Sequence, residues 1–165
     1  MPSSQTPSVD DFFPSPRQAK RSSIAGQCAF VLIIVSTSIF QAKWFLRIAD
    51  FHRLMCTCLN EFPDSSPHAR THVNSSNHAY QEALANAKEL SPMDPVRLTV
   101  SYSFATFTRD VLKSSNKAHS ILRHAIEDAA AYATARPHEE FSPESRKEIQ
   151  RLREKLESWR NTASP

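Results

Sequence analysis

The side chains with the clearest potential for chemistry are Cys56, Cys58, His68 and His72, two thiols and two imidazoles that could in principle surround a metal ion. Their spacing, CxC followed by HxxxH, is not a recurrent zinc pattern, and the stretch between is polar and carries prolines. In a chain with seven histidines the set reads as coincidence, and no metal or other cofactor is expected. Serine, histidine and aspartate all occur, but none sits on a turn that would expose a nucleophile, and isolated residues are not a triad. His119 and His124 lie five apart on one helix pattern, so they do not share a face. No enzymatic role is expected. Cys28 makes the cysteine count odd, and three are too few for a disulfide framework, which points to a reducing compartment.

The elements that must position these side chains are bounded by composition. The chain has 165 residues, enough for one domain with a tail, and 20 basic against 17 acidic side chains. A net charge of +3 lacks the basic stripe of a nucleic-acid binder, so no nucleic-acid partner is expected. Gly26 is the single glycine. Phosphate loops and dinucleotide fingerprints need several residues tolerant of positive φ and are excluded. The tight turns of an all-β domain are disfavoured for the same reason. What is left is helices joined by proline- and serine-bearing turns.

Residues 1–23 are rich in serine and proline and poor in apolar residues, which predicts a disordered tail. Residues 24–42 (IAGQCAFVLIIVSTSIFQA) carry no charge. A spanning helix needs about 20 predominantly apolar residues, so this segment from Ile24 to Ala42 is either a membrane anchor or a segment that packs on the domain. The folded domain is expected over 43–161. Phe45, Ile48, Phe51 and Met55 recur at helical steps and predict a helix over 43–62, closed by Glu61-Phe62-Pro63. Residues 63–76 read as a polar linker with two prolines.

Four amphipathic helices follow. The first runs from about Asn77 to Leu90 with Tyr80, Leu84 and Ala87 on its apolar face, and stops at Pro92. The second starts with Asp94 as N-cap and Pro95 at the first helical position; Val100, Phe104, Phe107 and Val111 form its stripe. The third begins after Ser114-Ser115, carries Ala118, Ile121, Leu122, Ala125 and Ala129, and ends at Arg136-Pro137. The fourth opens on Ser142-Pro143-Glu144 and is striped by Ile149, Leu152, Leu156 and Trp159. Short connections make successive helices antiparallel neighbours. The fold class is all-α, an antiparallel helical bundle or array.

The run AYQEALANAKELSPMDPVRL, followed by FATFTRDVLKSSNKA and by RLREKLESW, resembles the C-terminal half of 14-3-3 proteins. The family pattern is "AYxxA", a "P-x-x-P-[IV]-R-L" turn, "NFSVFYYEIL" and "LLRDNLxLW". Ala79, Tyr80, Ala83, Pro92, Pro95, Val96, Arg97, Leu98, Phe104, Phe107, Leu112, Leu152, Arg153, Leu156 and Trp159 match in order, and DFHRL at 50–54 resembles the family's "DYYRY". The family's first four helices, which form its dimer interface and one wall of its groove, have no counterpart in this reading, and the first 42 residues resemble nothing in the family.

The resemblance implies an adaptor that takes phosphoserine or phosphothreonine segments of client proteins into an amphipathic groove. Such recognition uses guanidinium groups forked onto a dianionic phosphate and amides that hold an extended backbone. Of the family's phosphate pocket, a lysine, two arginines and a tyrosine, the second arginine matches Arg53, while the tyrosine is Leu54. The backbone-holding asparagines fall on Ser103 and Lys155, the groove glutamate on Asp110, and the tryptophan is kept as Trp159. The apolar groove wall falls on Lys147, Glu148 and Arg151. These residues imply weakened or lost phosphopeptide binding, with phosphorylated clients and a full-length family member as partners and a cytoplasmic location. The alternative is a membrane-tethered helical interaction protein, anchored through 24–42, that binds no phosphopeptide.

Overall fold

Between Pro16 and Pro63 the chain has no proline and one glycine, so nothing interrupts a helix once it has begun. The computed structural model describes residues 16–60 and 66–161, with side chains placed over 36–58 and 68–161. It consists of α1 (Pro16–Asn60), α2 (Ser66–Ala87), α3 (Pro95–Asp110), α4 (Ser115–Ala135) and α5 (Pro143–Asn161), with no strand among the described residues. The all-α expectation holds. Residues 1–36 and 37–165 are separate compact units, and the packing below is that of the second.

Two boundaries differ from expectation. Residues 1–15 of the predicted tail lie outside the described residues, but α1 already starts at Pro16, where proline suits a first helical turn and Arg17-Gln18-Ala19-Lys20-Arg21 are good helix formers. Residues 24–42 and 43–60 are one helix, not an apolar segment followed by a domain helix. No helix among the described residues is long and apolar enough to cross a membrane. Residues 66–76, read as linker, form the first half of α2. Pro67 sits in its first turn, where the missing N–H costs nothing, so it starts the helix instead of breaking it.

The later boundaries follow the capping chemistry. The Asp94 carboxylate accepts from the Val96 N–H at 2.8 Å and the Ser142 hydroxyl from the Ser145 N–H at 3.1 Å. Lys113 adopts φ 56° at the end of α3, and the Ser114 N–H reaches back to the Thr108 carbonyl at 3.0 Å. That closure normally recruits glycine. Arg97 explains the turn motif around it. Its guanidinium donates to the Leu90 carbonyl at 3.1 Å and pairs with Asp128 at 2.8 Å, tying the α2–α3 turn to α4.

Helix α3 packs against α2, α4 and α5. On one side Leu98, Ala105, Ala118, Leu122, Leu152 and Trp159 join α3, α4 and α5. On the other, Ala49, Ala79, Tyr80, Phe104 and Phe107 join α1, α2 and α3. Alanines at 42, 49, 79 and 83 let α1 and α2 approach closely. There the buried Ser76 hydroxyl donates to the Ala49 carbonyl at 2.9 Å. The expected stripes are inward: Val100, Phe104 and Phe107 on α3, Leu122 and Ala129 on α4, Leu152 and Trp159 on α5 are all buried.

Candidate functional site

Arg53 is placed by α1 and held by α2. Its Nε lies 3.5 Å from Asp50 Oδ1, one helical turn back. The same carboxylate oxygen accepts the Tyr80 phenol from α2 at 2.6 Å. Tyr80 is fully buried, stacked at 5.7 Å on Phe104 and tilted at 5.0 Å against Phe107, so its ring cannot drift. Burial first, and then the hydrogen bond and charge of Asp50, push the phenol far above its ordinary pKa; it stays a donor. Partial burial works against the Arg53 charge, but Tyr80 and Asp50 outweigh it and raise its pKa. The guanidinium thus has a fixed orientation with 43% of the side chain still open to water. Beside it, Leu54 is 60% exposed and offers no hydrogen bond.

A second group forms where α5 crosses α3. Trp159 is buried beneath cations: the Arg109 guanidinium lies 4.8 Å and the Lys155 ammonium 5.6 Å from its ring centroid. His119 of α4 meets the same ring edge-on at 5.5 Å. About two turns earlier, Arg151 covers the Tyr102 ring at 3.9 Å, and Lys155 reaches that ring at 6.0 Å. Ser103 is half-buried and Asp110 exposed, seven residues apart on α3.

Of the residues singled out from sequence, Lys155 and Trp159 are brought into contact, whereas Arg53 belongs to the separate Asp50–Tyr80 group. Asp50 pairs with Arg53 and Glu148 with Arg151, each three residues apart on its helix, at 3.5 and 3.4 Å. Trp159 is core, as its stripe indicated, but it is also a platform for cations. Three features carried no local signal: the anchoring role of Tyr80, the stacking of Arg109 and Arg151, and a contact between His52 and His72. Those two rings meet Nδ1 to Nδ1 at 2.8 Å across α1 and α2. Burial, and then the neighbouring His72, lower the pKa of His52. The four cysteines and histidines considered as ligands do not gather; no cluster of three or more candidate ligands forms among the described residues. Cys56 is buried, its thiol facing the Ala69 carbonyl at 3.8 Å, and burial pushes its pKa up, away from nucleophilic use.

Comparison with known proteins defines the class. The family model of 14-3-3 proteins matches residues 21–160, and the chain belongs to that family. The match begins at residue 21, which corrects the reading that the first 42 residues resemble nothing in the family: residues 21–42 fall within the match. The chain is 33% identical to the 14-3-3 protein beta/alpha of Mus musculus over 130 residues, covering 78% of this chain and 50% of the relative. It is 33% identical to that of Homo sapiens over 96 residues, 58% of this chain and 39% of the relative. Against that of Gallus gallus it is 28% identical over 130 residues, 78% and 51%. The chain therefore spans about half the length of the curated relatives it matches.

Proposed function

We propose that the chain is a 14-3-3-like adaptor that binds phosphoserine- or phosphothreonine-containing segments of partner proteins, in the cytoplasm, with a weakened site. The observation that carries this reading is Arg53. Its guanidinium is oriented by Asp50, itself fixed by Tyr80, while much of the side chain stays open to a ligand. A guanidinium so placed can fork onto a phosphate, the mode of which 14-3-3 proteins are themselves an instance. The weakening follows from its neighbours. Leu54 cannot donate to a phosphate oxygen, and Ser103 and Lys155 lack the paired donor and acceptor of an amide. Each lost bond to a charged group is worth about 1.5–3 kcal/mol, enough to take micromolar binding to about millimolar.

Pairing with another family chain belongs to the same reading. Phe40, Trp44, Phe51 and Leu54 are each more than half exposed along α1, an apolar surface that a second chain can cover. The experiment is a titration of the full chain with a family-type phosphopeptide and its unphosphorylated twin. Phosphate-dependent binding that disappears with Arg53→Glu supports the adaptor reading; equal behaviour of the twins refutes it.

A further inference from the structure

The crossing of α3 and α5 carries more positive charge than a solvated helix face needs, and that charge is held still. Lys147, Arg151 and Lys155 recur every four residues on α5, a ridge with steps of about 6 Å. Arg151 and Lys155 do not extend freely into water. Their heads rest on Tyr102, and Lys155 with Arg109 brackets Trp159. Resting on a ring lowers the rotamer freedom left to lose on binding. Glu148 reaches Arg151 at 3.4 Å, and the salt bridges of α5 engage Arg151 and Arg160, not Lys147 or Lys155, among the described residues.

We propose that this ridge, Lys147, Arg151 and Lys155, docks an acidic, extended segment of a partner protein with carboxylates at alternate residues. Alternate side chains of an extended chain on one face are about 6.6 Å apart, close to the step of the ridge. A helical partner is disfavoured, because helix docking requires an apolar groove and the cationic heads cover the rings that would line one. The proposal deepens the adaptor reading and rests on it for the choice of a polypeptide ligand.

The test uses the full chain and fluorescence anisotropy with two labelled phosphoserine peptides. One has glutamate, the other leucine, at alternate positions beside the phosphoserine, and each has an unphosphorylated twin. The glutamate peptide is expected to bind about tenfold tighter, three solvent-exposed ion pairs acting together. In about 1 M salt, where the screening length is about 3 Å, the preference should vanish. Arg151→Gln with Lys155→Gln keeps the stems and should level the two peptides. Lys147→Gln, at an exposed position outside the core, should reduce the preference about twofold and decides the matter if the double variant does not fold. Equal affinity for both peptides, or a preference that survives these variants, overturns the proposal. A glutamate preference with no dependence on phosphate leaves the ridge standing and removes the phosphopeptide reading. Failure of every peptide to bind overturns both.

Discussion

Tyr80→Phe removes one oxygen from the most consequential polar contact in the domain and leaves the ring in place. The phenylalanine ring keeps its packing on Phe104 and Phe107, at 5.7 and 5.0 Å for the tyrosine, so the change isolates the hydroxyl. What is lost is a 2.6 Å hydrogen bond to a carboxylate. Bonds to charged groups contribute about 1.5–3 kcal/mol. The Asp50 side chain is 39% exposed, so water takes over part of its solvation in the variant. The lower end applies, about 1.5 kcal/mol, or about 3–6 °C in Tm for a chain of this size. The assay is urea unfolding of the wild type, Tyr80→Phe, Asp50→Ala and the double variant. The cycle should return a coupling of about 1 kcal/mol or more, because the two residues form one contact. A loss for Tyr80→Phe below about 0.5 kcal/mol, or a coupling near zero, would refute the view that α1 and α2 are locked through this pair. Arg53 keeps its charge in this variant but loses the Tyr80 phenol, which acts on it directly as well as through Asp50, so the peptide affinity of Tyr80→Phe reports on its orientation.

Acidification should destabilise the domain through His52. Its pKa is lowered in the folded chain from the ordinary 6.5, so between those values the unfolded state holds more protons and stability falls as pH drops. Thermal melts from about pH 7.5 to about pH 5 should show this loss, and His72→Gln should flatten it; a slope unchanged in that variant would count against the contact. The apolar side of α1 gives the last expectation. The sedimentation coefficient should rise with protein concentration, and Trp44→Lys with Phe51→Lys should abolish the rise, because both side chains are 58% exposed and their replacement costs little packing. A single species at every concentration would contradict the pairing.

How much of this was legible depended on whether the governing interaction was local. Helices α3, α4 and α5 were readable to within a residue or two: Asp94-Pro95 and Ser142-Pro143 act on the backbone beside them, and Arg136-Pro137 marks the end of α4. The start of α2 was misjudged because proline means opposite things by position: Pro63 and Pro67 look alike in sequence, yet Pro67 opens a helix. The length of α1 was obscured by chemistry that changes along it, although its backbone has no breaker. At the candidate site, Arg53 and Trp159 were singled out through motif spacing. Tyr80 meets Asp50 from 30 residues away, and His52 meets His72 from 20. No window of sequence contains such pairs. Arg151 and Lys155 were matched to groove positions of the family; their stacking depends on the crossing of α3 and α5, which only the assembled helices define.

The geometry also explains how a fold can persist while its binding face changes character. Leu152 and Trp159 of α5 point into the core, and the loss of such a residue costs about 2–5 kcal/mol, much of a domain's stability. Lys147, Arg151 and Lys155 lie on the same helix outside that constraint. Arginine and lysine can replace an apolar side chain at a rim because a cation can rest on an aromatic face, as the Arg151 guanidinium does over Tyr102 and the Lys155 ammonium over Trp159. In the adaptor reading proposed above, the packing role of the groove wall is thereby kept while its polarity is inverted, and such a wall would exchange preference for apolar side chains beside a phosphate for preference for acidic ones.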